Sequence, residues 1–444
     1  MFFIVIKVEI MLKMWYYNIE TKKGAYRQMD IKEFLDTSYT AFHAVENGIK
    51  MLTDAGFFHI DPAKSPKILV GGKYFFTVNS STLIAFKVGQ EKKFYVAESH
   101  TDSPSLRLKG NKTIDSPEGK RLNVEKYGGL VLFSLVNTPL KIAGRIIEKT
   151  TNGLKEKNVV SSFTVNIPAL CIHHNVEVND KLALSVQKDM LPLVGNVDDI
   201  YSSLSDNNVV DGDLFVVPST PAFISGVNGE YLCSPRIDNL TSVYASLNAI
   251  IDSNGDGIQV ACCFDNEEIG SLTKQGANSA LLENTLRFIM RSIGGTEEDF
   301  ISAVNNGYIL SVDNAHAVHP AHPEKSDPIE KVVMNGGIVI KHHTNYSTDA
   351  LSSAILKTIL DKANIKYQDY YNNSDIRCGG TIGLVTSARL NMKACDIGLA
   401  QLAMHSGIET VGLNDIPVMQ DCIEAFFSSN LTVHDKEIEI TINQ

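Results

Sequence analysis

Hydrophobic and polar positions along this chain follow two periods, and the changes between them outline the fold. IKEFLDTSYTAFHAVENGIKMLTDAG, from Ile31, repeats its apolar residues at helical spacing and predicts an amphipathic helical start. The compact runs YFFTV, TLIAFKV and KFYVAES follow and predict strands. From about Arg107 to Gly226 the texture becomes short alternating runs broken by turn residues, with Asn152-Gly153 between RIIEK and EKNVVSSFTV as a hairpin signal. After Val227 longer elements return. Leu240, Val243, Tyr244, Leu247, Ile250 and Ile251 recur at helical spacing, then come the strand GIQVACCF, the helix LLENTLRFIMRSI and the strand YILSV. Strands alternating with helices predict an α/β fold with a mixed, mostly parallel sheet flanked by helices. The β-rich stretch, residues 107–226, reads as an insert between residues 30–106 and 227–444 of that domain. Lys7 and Glu9 interrupt the apolar run at the start, which argues against a signal peptide, and residues 1–29 read as an N-terminal extension of uncertain order.

Composition narrows the classes. A chain of 444 residues with 44% hydrophobic and 20% charged residues can bury a large core. Its net charge of −11 offers no basic stripe for phosphates, so no nucleic-acid partner is expected. No apolar run reaches the ~20 residues of a membrane span, so no membrane partner is expected either. Seven cysteines without a CxxC pair predict a reducing, cytoplasmic setting rather than a disulfide framework.

Chemistry-bearing residues sit where the apolar strands end. KFYVAES runs into His100, Thr101 and Asp102, and GIQVACCFDN runs into Glu267 and Glu268. YILSV runs into Asp313, with His316, His319 and His322 behind it. In open α/β sheets the carboxyl ends of the strands border the ligand crevice. Asp238, which opens the RIDNLTSVYASL helix, and His405 in LAMHSGIETVG complete a set of nitrogen and oxygen donors. Each has a plainer reading: Asp238 as a helix N-cap, the glutamates as a solvated strand end, His405 as a core histidine. Their joint occurrence at element boundaries favours a metal site. Two adjacent carboxylates can share such a site if one binds a dication and the other takes the proton of activated water. Asp102, two residues after His100, suits the role of orienting that imidazole.

ESHTDSPSLRLK, SPRIDNLTSVYASL, FDNEEIGSLTKQGANS, SVDNAHAVHPAHP and CGGTIGLVTSARL…DIGLAQLAMHSGIETVG closely resemble the aspartyl aminopeptidase family of co-catalytic metallo-aminopeptidases, from about Asp30 to Phe427. FLDTSYTAFHAV and IPALCIHHNVEVN resemble it as well. The resemblance implies two divalent metals, zinc by default and manganese or cobalt otherwise, bridged by Asp238. One would add His100 and Asp313, the other Glu268 and His405. Glu267 would be the general base and Asp102 the residue steering His100. His173 in the insert would reach a neighbouring subunit's active site, and His316, Lys341 and Tyr346 would contact substrate. It also implies that the insert makes dimers and that these assemble into a tetrahedral dodecamer. After Tyr127-Gly128-Gly129 this chain reads LVLFSLVNTPLKIAGR, without the family's usual aromatic residues and Asp-Arg pair.

The expected function is release of single N-terminal residues from peptide substrates, with Asp or Glu preferred and Lys341 as the point charge for the acidic side chain. Neutral residues such as leucine are the alternative specificity. A di-metal deacylase or amidohydrolase would use the same centre without needing a free α-amine. A non-enzymatic shell or cargo protein would keep only the assembly.

Overall fold

The computed structural model describes residues 29–434 and 437–442. The N-terminal extension expected over residues 1–29 lies, except for Met29, outside them. The main folded unit begins at Ile31.

A nine-stranded sheet organises this unit. Its order is Phe58–His59, Lys73–Val78, Thr82–Val88, Ile258–Phe264, Phe94–His100, Tyr308–Val312, Lys393–Gly398, Ile338–His342, Tyr367–Tyr371. Five of the eight pairings are parallel, so the sheet is mixed and mostly parallel as the alternation of elements implies. The three central strands are buried along their whole length, which explains why they read as continuous apolar runs rather than alternating ones. Their side chains still alternate between faces. Phe94 and Val96 enter a core with Leu286 and Ile289 of the Leu281–Ser292 helix. Tyr95, between them, stacks edge-on at 5.5 Å against Phe426 of the Asp415–Phe427 helix. Helices therefore cover both faces.

The helical start is two helices, Ile31–Thr37 and Ala41–Asp54, rather than one. Polar side chains between them bond elsewhere and compete with helical continuation. Asp36 accepts from the Ala222 amide at 2.6 Å, and Asn47 donates to the hydroxyls of Thr37 and Ser38. Thr40 is extended at φ −145°.

Most of the β-rich stretch forms an antiparallel six-stranded sheet, from Ser105–Ser116 to Val209–Pro218, with its own apolar core around Leu106, Ile142, Ile146 and Val216. Its hairpin turns at Thr151-Asn152, one residue earlier than the Asn-Gly signal. Gly153, at φ 142°, pairs with Thr150 as the first residue of the returning strand. Phe223–Ser225 instead pairs with Tyr231–Ser234, in a five-stranded sheet that also holds Ala315–His316, Ala400–Leu402 and Glu409–Gly412.

Candidate metal centre

Three adjacent parallel strands end at one place. Phe264 is in register with His100, and Ser311 with Glu98, so His100, the Glu267–Glu268 turn and Asp313 emerge side by side. Asp238 arrives from the opposite direction, on the segment after Tyr231–Ser234, and His405 from the loop after Ala400–Leu402. Left-handed backbone at the non-glycine residues Arg236, Asn266, Ala403 and His405 turns these side chains inward. Such conformations concentrate at functional sites, where the surroundings hold them in place.

The ligand-capable atoms of His100, Asp238 and Asp313 lie within 4.8 Å of one another, and so do those of Asp238, Glu268 and His405. A third such group is His100, Glu267 and Glu268. His100 Nε2 is 3.5 Å from Asp238 Oδ1 and 3.6 Å from Asp313 Oδ1. His405 Nε2 is 3.4 Å from both Asp238 Oδ2 and Glu268 Oε1. Two donors on a tetrahedral zinc, at the usual metal–ligand distances, stand roughly 3.3–3.5 Å apart. Asp238 Oδ1 is buried with no hydrogen-bond partner, an arrangement that is costly unless a cation satisfies it. Asp238 is thus no side-chain N-cap, and the donor set fits divalent metal.

Electrostatics follow from the crowding. Burial lowers the pKa of His100, but the neighbouring carboxylates of Asp102, Asp238 and Asp313 outweigh that and raise it well above the usual value. His405 is raised to about 10, with Asp238 and Glu268 overcoming the effect of burial. Burial pushes Glu267 up to about 7; His100 opposes this, and Asp313, Asp102 and Asp238 add to it. Burial and Asp238 raise Glu268 well above the usual carboxylate range. Asp238 itself is held below the usual range because His100 and His405 overcome its burial.

Asp102 does more than steer His100. The His100 Nδ1 contact is 3.0 Å to the Asp102 backbone carbonyl and 3.5 Å to its carboxylate. The carboxylate instead accepts the Glu267 and Glu268 amides at 3.1 and 3.2 Å and the Tyr127 hydroxyl at 2.7 Å. Asn266 donates to the same hydroxyl at 2.9 Å. Glu409 accepts from the amides of Asp238 and His405 and so ties two candidate ligands together. Gly128 and Gly129 leave room for the others: a Cβ on Gly128 would lie 3.1 Å from Glu268 Cβ, and one on Gly129 would lie 3.0 Å from His405 Nδ1. For Tyr127, Gly128, Gly129, Asn266 and Glu409 the sequence assigns no role in the site, and their contacts reveal one.

The remaining expected residues belong to none of the three donor groups. Lys341 is buried, donates to the carbonyls of Asp313 and Asn314 at 2.8 and 3.2 Å, and lies 3.6 Å from Asp313 Oδ2. Its ammonium sits 5.0 Å from the ring centroid of Tyr346, whose hydroxyl accepts from Cys378 Sγ. The His316 ring is open to solvent but crowded by protein, and that crowding, with Lys341, lowers its pKa. His319 and His322 are exposed, with ring centroids 5.3 Å apart, and belong to none of the three donor groups. His173 is exposed in the Ile172–His174 turn of the insert.

Comparison with known proteins identifies the family. The family model for "Aminopeptidase I zinc metalloprotease (M18)" matches residues 34–203 and 194–427. A Clostridium novyi protein named "Probable M18 family aminopeptidase 2" is 37% identical over 411 residues, 87% of this chain and 95% of its own. A Ricinus communis protein named "Probable aspartyl aminopeptidase" is 29% identical over 467 residues, 90% of this chain and 94% of its own. Among solved structures, the Ape4 chain in a cryo-EM complex with Nbr1 superposes with TM-score 0.84 at 29% identity, covering 89% of this chain and 84% of that one. The S. cerevisiae mApe1 dodecamer shares the fold, at TM-score 0.78 and 24% identity over 89% of this chain and 95% of that one. With a matching model over nearly all of its described length and a donor set fit for metal, the chain belongs to the M18 family of zinc metallo-aminopeptidases.

Proposed function

We propose that this chain is a di-metal aminopeptidase that removes single residues from peptide N-termini, with acidic residues preferred. The observation that carries the two-metal reading is Asp238, whose oxygens face different histidines, His100 through Oδ1 and His405 through Oδ2. Asp313 completes one donor set and Glu268 the other. Zinc suits these nitrogen and oxygen donors, and manganese or cobalt would be accepted by the same atoms. Divalent ions there would supply Lewis acidity toward the scissile carbonyl and toward water. Glu267 takes the proton of the attacking water and returns it to the leaving amine. Asp102 holds the Glu267 and Glu268 amides, so the base keeps its aim through the cycle.

Lys341 serves a different purpose in this reading from the one its charge suggests. Its ammonium is committed to the Asp313 and Asn314 carbonyls, and it fixes Asp313 rather than waiting for an acidic side chain. The acidic preference is supported by the name of the castor relative. Self-association through the 107–226 insert, up to a dodecamer, is supported by the assembly named for mApe1 and by exposed Leu170, Ile172 and Val176 around His173. In such an assembly His173 would face a neighbouring subunit's cleft. Seven free cysteines support a reducing compartment, and among the described residues no helix is long and apolar enough to cross a membrane.

The test is a matched pair of peptides, one beginning with Asp and one with Leu, cleaved with added zinc, manganese or cobalt and with chelator controls. Faster metal-dependent cleavage of the Asp peptide is expected. Preference for Leu would remove the acidic specificity and keep the mechanism, and cleavage of N-terminally blocked peptides would point to a deacylase.

A further inference from the structure

The two halves of the donor cluster are held in different ways. His100 ends a strand that is buried along its whole length, and its side chain is 1% exposed. His405 sits on a loop, and its side chain is 28% exposed. Ala403 and His405 both take left-handed backbone, at φ 58° and 66°. Residues other than glycine keep such conformations only where their surroundings hold them.

Much of that hold comes from the insert. After the Gly119–Tyr127 strand, residues 128–134 pass beside the His405 loop and enter the Leu132–Leu135 turn. The Gly129 carbonyl lies 3.2 Å from His405 Nδ1. A carbonyl can only accept, so Nδ1 carries the proton and Nε2 is left for a metal. The Val131 amide donates to the His405 carbonyl at 3.1 Å. Ser134 Oγ accepts from the Gly407 amide at 2.8 Å and donates to the Val131 carbonyl at 2.6 Å. One hydroxyl thus ties the insert's turn to the loop that carries the ligand. Glu409, on the His405 amide, adds a hold from the peptidase domain.

The segment is anchored away from the metal, since Leu130 and Leu135 belong to the insert's apolar core. Its contact with the loop is close. A Cβ on Gly407 would lie 2.9 Å from the Ser134 carbonyl oxygen. The gap that Leu130 and Leu135 share with His405 and Gly407 is about 10 Å³, roughly the space of one water. With so little slack, a displaced segment displaces His405.

We infer that the two metal positions are held unequally, and that Ser134 is a positioning residue that sets how tightly the His405 position keeps its ion. The inference rests on the two-metal reading. His100 is placed by strand register, whereas His405 depends on a side-chain hydroxyl from another part of the fold. Removing a partner that orients a metal ligand costs about 10–100-fold in metal affinity.

The experiment is stepwise removal of zinc from the loaded full chain with nitrilotriacetate, counting the zinc retained per chain. Alongside it, amide exchange of the peptide spanning residues 403–409 is read by mass spectrometry. The parent should give up one equivalent before the other, and His405→Gln should lack the weaker one. Ser134→Ala should raise the Kd of that weaker equivalent about 10–100-fold and leave the tighter one unchanged, while melting near the parent temperature. Ser134→Thr keeps the hydroxyl and should keep the parental Kd. Gly407→Ala disturbs the same contact from the loop's side and should weaken the same equivalent. Equal affinity of the two equivalents in the parent, equal weakening of both in Ser134→Ala, parental retention in Ser134→Ala, or loss of the tighter equivalent alone in His405→Gln would each overturn the inference. A parent that takes up fewer than two zinc ions counts against the two-metal reading. The role of Ser134 is then decided in metal-free protein, where exchange over residues 403–409 should be faster in Ser134→Ala and equal rates would overturn it.

Discussion

Glu267 and Glu268 are neighbours in sequence, yet their surroundings separate them. Glu268 Oε1 lies 3.4 Å from His405 Nε2, packed under Gly128, while burial raises Glu267 to about 7 against the opposing pull of His100. Glu267→Gln should therefore lower turnover about 10²–10⁴-fold, as loss of a general base does, with two metal equivalents per chain retained. Parental rates, or metal lost together with the rate, would remove Glu267 from that role. Gly129→Ala probes the other half of the site. Its new Cβ would lie 3.0 Å from His405 Nδ1 and 3.3 Å from Cε1, so the imidazole must shift. Metal analysis should show one equivalent weakened at least tenfold in a chain that melts near the parent, and full occupancy would mean the loop absorbs the methyl. Nothing in the residue types around Tyr127-Gly128-Gly129 announces this constraint. It comes from chain segments more than 130 residues apart in sequence meeting at one point.

Elements were easiest to read where burial is two-sided. The runs KFYVAES, GIQVACCF and YILSV each end within a residue of the strands observed, because a strand covered on both faces leaves an uninterrupted apolar record. The helical start was less legible. Its apolar period continues through a break that only side-chain bonds to distant partners create, such as Asp36 to the Ala222 amide. In the second of those helices, Ala41–Asp54, His43 is buried and its Nδ1 lies 2.9 Å from the Thr40 hydroxyl. Burial, with Arg236 adding and Glu46 opposing, lowers its pKa from 6.5 to about 4. A depressed pKa means that the unfolded chain takes up a proton before the folded one does. His43 therefore costs no stability above pH 6.5, and its neutral burial becomes progressively destabilising as pH falls toward 4, by at most about 3 kcal/mol. The melting-temperature gap between the parent and His43→Gln should shift in favour of the variant from pH 7.5 to pH 5. A gap independent of pH would show that His43 titrates normally.

At the scale of the whole molecule, the donor cluster is a concentration of buried charge that the polypeptide alone balances poorly. Asp238, Glu267, Glu268 and Asp313 gather around two imidazoles, and Asp238 Oδ1 has no hydrogen-bond partner. Removing one component of a buried charge set leaves the rest uncompensated, so metal should contribute to stability as well as to chemistry. Chelation should lower the melting temperature, and zinc should restore it. At free metal about a thousand times its Kd the expected gain is about 4 kcal/mol. A melting temperature indifferent to chelator and zinc would mean that the folded chain does not bind the metal in preference to the unfolded one.

The sequence by itself determined the class of fold and which residue types stand at the strand ends, because strand ends, helical periods and donor types are local properties written in consecutive residues. Tertiary structure decided the rest. Register between three parallel strands brought His100, Glu267, Glu268 and Asp313 together. It turned Lys341 toward the Asp313 and Asn314 carbonyls and gave the Asp102 carboxylate to the Glu267–Glu268 turn. The reason is physical: a side chain's charge and donors are fixed by its type, but its partners are chosen by whichever distant segment packs against it.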